Sequence, residues 1–177
     1  MKTIVIYRSK TGFTKKYANW IAKAVDATLV EAGKVSAGGL MRYDTIVFGG
    51  AMYAGGINGI SLIKRNLWRY TSKNIVIFTL GATPVRPEIV DEIRDKNFTP
   101  DEQRHIKFFM LRGGFNYQKL GAIDKMLMQI LKAKLKRVKH PTADERGMLA
   151  AYSRPVDFTD RRLIEPIVEA ILKGKDR

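Results

Sequence analysis

Apolar residues fall into five short, nearly unbroken runs along this chain: Thr3 to Tyr7, Ala27 to Val30, Thr45 to Gly49, Asn74 to Leu80 and Ile106 to Leu111. Runs of that length without polar interruption predict strands buried on both faces. The stretches between them carry helical spacing instead. Tyr17, Trp20, Ile21 and Ala24 mark a helix over Phe13 to Val25, and Ile60, Ile63, Leu67 and Trp68 mark one over Ile57 to Trp68. Pro87 suits the first turn of a short helix to Lys96. Asp160 suits the N-cap of a last helix to Leu172, with Gly174 just beyond it. Strands alternating with helices predict an α/β fold, a doubly wound five-stranded parallel sheet with right-handed crossovers. Residues 112–158 exceed what such a sheet needs. They predict an insertion after the fifth strand, containing a helix from about Gly121 to Lys139, within one domain spanning residues 1–177.

The chemistry begins at Ser9-Lys10-Thr11-Gly12-Phe13-Thr14, directly after the first strand and at the start of the first helix. The first amides of a helix lack intrahelical partners, and the helix dipole adds partial positive charge to them, so the turn suits a phosphate dianion. Hydroxyls of Ser9, Thr11 and Thr14 add donors, Gly12 lets backbone approach closely, and Lys10 adds charge. An ordinary hydroxyl-rich N-cap uses the same residue types. The loop is neither a GK[ST] nucleotide loop nor a GxGxxG fingerprint.

Composition narrows the partners. Of 177 residues 32 are Lys or Arg and 17 Asp or Glu, for a formal net charge of +15. That field draws anionic partners, or merely keeps the surface soluble. No run approaches the ~20 apolar residues of a membrane span, and the opening Ile4-Val5-Ile6-Tyr7 is too short for a signal peptide. With no cysteine and only His105 and His140, thiolate and histidine-rich metal sites are excluded and no metal is expected. A cytoplasmic protein, peripheral to the membrane's inner face at most, is the expectation.

The S-x-T-G-x-T pattern after an N-terminal strand resembles the phosphate loop of flavodoxins, and Ile4 to Ala22 resembles that family's opening strand, loop and helix. The resemblance implies FMN as cofactor, with Ser9, Lys10, Thr11, Gly12, Phe13 and Thr14 around its phosphate. It implies strand order 2-1-3-4-5, with the ligand crevice where the order reverses; flavodoxin is itself the standing example of that rule. Two further loops then join the site. Gly49 to Gly56 would bring Ala51, Met52, Tyr53, Ala54 and Gly55 to the flavin ring, with Tyr53 covering a face and Met52 packing beside it. A glycine-rich turn with two hydrophobic staples explains the same residues. Thr79, Leu80, Gly81 and Ala82 form the third contact. Flavodoxins often stack an aromatic residue there, and none occurs between Thr79 and Arg86, so one ring face is open or covered by the insertion.

Phe108 to Met128, with its Arg-Gly-Gly-Phe-Asn-Tyr segment and an Asp opening a Met-rich basic helix, resembles the flavodoxin-like branch of quinone-linked protoporphyrinogen dehydrogenases of haem synthesis. That resemblance implies an FMN-dependent oxidoreductase, with a porphyrinogen's carboxylates drawn to Arg112, Lys119 or Lys125 and a quinone as acceptor. No catalytic acid or base stands out. Within Ile123–Lys139, residues Ile123, Met126, Leu127, Ile130, Leu131 and Leu135 can share an apolar face, while Lys132, Lys134, Lys136, Arg137 and Lys139 crowd the end. A core-covering helix, an interfacial helix on anionic lipid and a surface for an acidic partner all fit this pattern. Nucleic acid is not expected, because no binding motif is present and the charge is spread along the chain. The alternative function is a flavodoxin-type electron carrier with an acidic protein partner.

Overall fold

A computed structural model describes residues 2–53 and 55–175. In chain order its elements are β1 (Thr3–Arg8), α1 (Phe13–Val25), β2 (Thr28–Glu31), β3 (Thr45–Tyr53), β4 (Gly56–Ile57), α2 (Ser61–Lys64), β5 (Asn74–Gly81), α3 (Pro87–Asn97) and α4 (Pro100–Gln103). There follow β6 (Ile106–Arg112), β7 (Gly114–Phe115), α5 (Ala122–Lys136), α6 (Ala143–Ala151), β8 (Val156–Asp157) and α7 (Glu165–Leu172). Five parallel strands lie in the order β2-β1-β3-β5-β6, which is the predicted doubly wound sheet.

The period-two alternation of the strands builds a core on each face. Val5, Val47, Val76 and Phe78 pack with Tyr17, Ile21, Ile167 and Ile171 of α1 and α7. Ile4, Ile6, Ile46, Phe48, Ile75 and Ile77 pack on the other side with Ile63, Leu67, Tyr70 and Phe98. Each such aliphatic side chain contributes about 1.5–3 kcal/mol by leaving water.

Three expectations need correction. The third strand does not stop at Gly49: it runs to Tyr53 and folds back through β4, pairing Met52 with Ile57 and Tyr53 with Gly56. Gly49 and Gly50 are therefore strand residues. A Cβ at Gly49 would lie 2.0 Å from the Phe78 ring, and one at Gly50 2.5 Å from the Asn58 carbonyl oxygen, so these glycines serve packing. The helix expected over Ile57 to Trp68 shrinks to α2 and a 3₁₀ turn at Leu67–Arg69, because β4 and Gly59, at φ +81°, occupy its start. Trp68 is exposed. The last helix opens as a 3₁₀ turn over Arg161–Ile164, which Asp160 caps by accepting from the Arg162 amide at 2.9 Å. Regular α-helix resumes only at Glu165-Pro166, where proline's missing N–H is harmless.

The insertion is an antiparallel β7–β8 ribbon enclosing α5 and α6. Phe115 and Tyr117 pack on Tyr152 at ring distances of 5.7 and 5.4 Å, and the Tyr152 hydroxyl donates to the Met128 carbonyl at 2.6 Å.

Candidate cofactor site

The turn between β1 and α1 is built around Gly12, whose φ of +100° only glycine adopts without strain. Gly12 is the N-cap, so the alternative of an ordinary hydroxyl cap is not what forms, and no side chain caps α1. Ser9 Oγ instead accepts from the Gly12 amide at 3.1 Å, closing the turn on itself. The first-turn amides of this 13-residue helix thus lack a side-chain partner, and the space beside Gly12 is open. Thr11 is half-buried beside them and Thr14 is buried. The Phe13 ring lies over Gly114 of β7, 2.5 Å from where a Cβ would stand, so only its backbone amide belongs to the first turn's open donors.

The hairpin of β3 and β4 sits next to this turn, because β1 ends opposite Gly50 while β3 continues. It carries Ala51, Met52 and Tyr53; Ala54 lies outside the described residues, and Gly55 follows at φ +78°. Met52 reaches across the crevice, its sulfur 3.6 Å from the Cβ position of Gly81. The second and third loops are thereby in contact. In the third loop Thr79 is fully buried and donates to the Gly50 carbonyl at 2.9 Å, so it acts within the sheet. Gly81 accepts from the Gly113 amide at 2.8 Å, and the Ala82 carbonyl accepts from Arg112 Nε at 3.3 Å. Arg112 also lies over the Phe158 ring at 3.8 Å. Insertion residues therefore stand where an aromatic residue is missing.

The residue that ties these loops together is Asp124, in the first turn of α5. Its two carboxylate oxygens each accept from Lys10 Nζ at 2.8 Å, and the Tyr53 hydroxyl stands near enough to act on its charge. Lys10 Nζ in turn sits 3.8 Å from the centroid of the Tyr53 ring. Phosphate turn, hairpin and insertion converge on one carboxylate, only 8% exposed.

Residues 4–142 match the family described as "Flavodoxin domain". The chain belongs to the flavodoxin-domain family. Among solved structures it is similar to oxidised flavodoxin 2 of Bacillus cereus, with 20% identity, 63% of this chain and 84% of that one covered, and a TM-score of 0.49. A flavodoxin from the Archaea gives 15% identity, 87% and 98% coverage and a TM-score of 0.44. The two-electron-reduced Megasphaera elsdenii flavodoxin gives 17%, 62% and 85%, and 0.41. No curated protein sequence matches.

Flavodoxin-domain relatives bind flavin, typically FMN, and the residues here fit it. The open, uncapped turn suits the phosphate, and the hairpin and third loop face the same crevice. The Asn58 side-chain Nδ2, just after β4, is buried with no hydrogen-bond partner, while its backbone amide donates to the Ala51 carbonyl at 3.0 Å. Two surface depressions of about 640 and 760 Å³ lie elsewhere, around Lys64, Arg94 and Gln103 and around Asp44, Asn74 and Lys107. The second opens where β3, β5 and β6 begin, whereas wound sheets bind ligands at the carboxyl ends of their strands.

Of the residues expected at a substrate, Arg112 lies at the third loop, Lys119 is exposed at the end of a 3₁₀ turn and Lys125 follows Asp124 in α5. Asp124 enters the resemblance only as the Asp opening the basic helix, with no role at the site. The signal was available, since it is the only acidic residue between Glu102 and Asp144 in a strongly basic stretch.

The Lys10 ammonium, then the Tyr53 hydroxyl, hold the Asp124 carboxyl below its ordinary value, and the carboxylate beside Tyr53 raises that phenol. A carboxylate depressed on folding stabilises when ionised. Its contribution is complete above the unfolded value of about 4 and is lost as pH falls through the lower folded value. Asp124→Asn at pH 7 is therefore expected to free the start of α5, by about 1 kcal/mol for so partly exposed a pair. Hydrogen exchange of α5 amides should accelerate in the variant, while the wild type keeps its protection from pH 7 to pH 5.

Proposed function

We propose that this flavodoxin domain is an FMN-dependent oxidoreductase of the kind that oxidises porphyrinogens and passes electrons to a quinone. The observation that carries the reading is the insertion brought onto all three loops, through Phe13 on Gly114, Lys10 and Tyr53 on Asp124, and Ala82 on Arg112. A carrier needs only an exposed flavin edge, whereas a wall built beside the crevice suits an enclosed substrate. FMN, when bound, supplies the hydride-accepting chemistry, and the protein supplies binding, orientation and electrostatics. Arg112, Lys119 and Lys125 provide positive charge on the insertion for a polycarboxylate. Anaerobic mixing of FMN-loaded protein with protoporphyrinogen tests this: bleaching of the flavin is expected. Stable oxidised flavin would transfer the reading to the electron carrier.

The proposal extends to an anionic membrane surface under α5. The apolar face expected there divides in two. Leu135 is buried and Leu131 half-buried, whereas Ile123 is 71%, Met126 59%, Leu127 45% and Ile130 63% exposed. The four exposed residues recur at helical spacing in the same segment as Lys132, Lys134, Lys136, Arg137 and Lys139, which is the pattern of an interfacial helix. No helix among the described residues is long and apolar enough to cross a membrane. Vesicles containing phosphatidylglycerol should pellet the protein, and pure phosphatidylcholine should not. Ile130→Glu should reduce pelleting about tenfold, since it loses roughly 1.5–3 kcal/mol of apolar burial. Equal pelleting of the variant would contradict the docking.

A further inference from the structure

The turn that joins β3 to β4 is held from outside by one side chain, Asn97, the last residue of α3. Its carboxamide is used on both sides. Oδ1 accepts from the Ile57 amide at 3.1 Å, while Nδ2 donates to the Gly55 carbonyl at 3.2 Å and to the Ile93 carbonyl at 2.8 Å. Asn97 is 8% exposed, so these bonds form away from water. Its own carbonyl accepts from Lys64 Nζ at 2.5 Å, and Lys64 pairs with Glu102, whose carboxylate closes the capping box of α4. The turn is thus referenced to a rigid corner of the scaffold, in front of Lys96, whose Nζ lies 2.2 Å from where a Gly55 Cβ would stand.

A carboxamide that accepts from one residue of a turn and donates to another fixes which way the peptide groups between them face. A carboxamide does both, whereas an ionised carboxylate accepts without donating. Here those peptides are Gly55–Gly56 and Gly56–Ile57, on either side of Gly56, which pairs with Tyr53 across the hairpin proposed to meet the flavin ring. Hydrogen bonds and charge at a flavin's ring nitrogens are what a protein uses to tune its electronics.

We propose that Asn97 is a positioning residue for the flavin: by holding the Gly55 carbonyl and the Ile57 amide it sets the relative affinity of the site for oxidised and reduced FMN, and so the potential. The proposal rests on the FMN reading above. The Asn97 carboxamide bonds Ile57, Gly55 and Ile93, none of them in the phosphate turn, so its loss is expected to act on potential more than on the grip on phosphate.

The test compares wild type, Asn97→Ala and the isosteric Asn97→Asp, each loaded with FMN. Asn97→Asp keeps the acceptor for Ile57 and sets a carboxylate against the Gly55 carbonyl. We expect the ratio of affinities for the two redox states to change about tenfold in both variants, which is close to 30 mV in the two-electron potential. Lowering the pH should return Asn97→Asp toward wild type measured at the same pH, since the protonated carboxyl can again donate. The Ile57 amide is expected to exchange slowly in the cofactor-free wild type and rapidly in Asn97→Ala. Rapid Ile57 exchange with an unmoved potential would reduce Asn97 to a structural role and overturn the proposal, as would unmoved exchange and potential together. Failure of the wild type to bind FMN would overturn the FMN reading itself, and the Ile57 exchange would then still report whether Asn97 fixes the turn.

Discussion

Replacing Thr11 by aspartate is expected to weaken FMN binding about 100-fold while leaving the fold intact. Thr11 is half-buried in the turn between β1 and α1, beside the open space at Gly12 and the uncapped first-turn amides of α1. A phosphate dianion there gains charge-assisted hydrogen bonds from backbone that has no other partner. A carboxylate on Thr11 adds repulsion of about 1–4 kcal/mol per unit charge at contact distance, and about 2.7 kcal/mol corresponds to a factor of 100. Lys10 cannot offset it freely, because both Asp124 oxygens already hold its ammonium. Thr11→Ser keeps the hydroxyl and should bind nearly as the wild type does. Isothermal titration with FMN, beside far-ultraviolet circular dichroism, checks both halves. Unchanged affinity in Thr11→Asp would remove the phosphate from this turn.

Gly49→Ala should lower the melting temperature by about 10 °C, a large effect for a single methyl group. The added carbon would stand 2.0 Å from one atom of the Phe78 ring and 2.5 Å from two more. Phe78 is fully buried in the core between the sheet and α1, with α7 packed behind, so the ring has no space to yield. Overpacking typically costs about 1–3 kcal/mol and occasionally more, and in a domain of this size each kcal/mol shifts the melting point by about 2–4 °C. Phe78→Leu combined with Gly49→Ala should recover part of the loss, since the smaller side chain vacates the contested space. Calorimetry of the single and double variants measures the coupling.

Much of the fold could be read from the chain. The helix over Phe13 to Val25 matches α1 residue for residue, and the five apolar runs became the five parallel strands, because burial on both faces leaves a continuous signature. Where pairing decided the structure, the chain was less informative. Gly49 to Gly56 has the composition of a loop, yet antiparallel pairing of Met52 with Ile57 extends the strand, and Gly55 turns it with a positive φ. The two-residue strands β7 and β8 pair across the whole insertion and carry too few residues for any period to show. Helix α6 was missed because its apolar residues make only a weak stripe, although Thr142 and Glu145 form a capping box before it.

The candidate site was legible in outline and not in its connections. The first loop follows from the Ser9–Thr14 motif, and the other two from the strand order that the resemblance implies. That Lys10 would meet Asp124, 114 positions away, depends on how the insertion folds back. Phe13 and Thr79 were placed at the cofactor by sequence, and in the structure they pack on Gly114 and bond the Gly50 carbonyl. Asn97 lies one residue beyond the helix expected from Pro87 to Lys96, and its polar contacts form with a hairpin that spacing did not predict.

Titrating the cofactor-free protein with FMN and, separately, with riboflavin tests the central claim, that the turn at Gly12 and the loops beyond it form a flavin site anchored by phosphate. Saturation at one FMN per chain, with riboflavin at least 100-fold weaker, is the expected result, since the charge-assisted bonds to phosphate are worth about 1.5–3 kcal/mol each. No binding of FMN, or equal affinity for riboflavin, would contradict it.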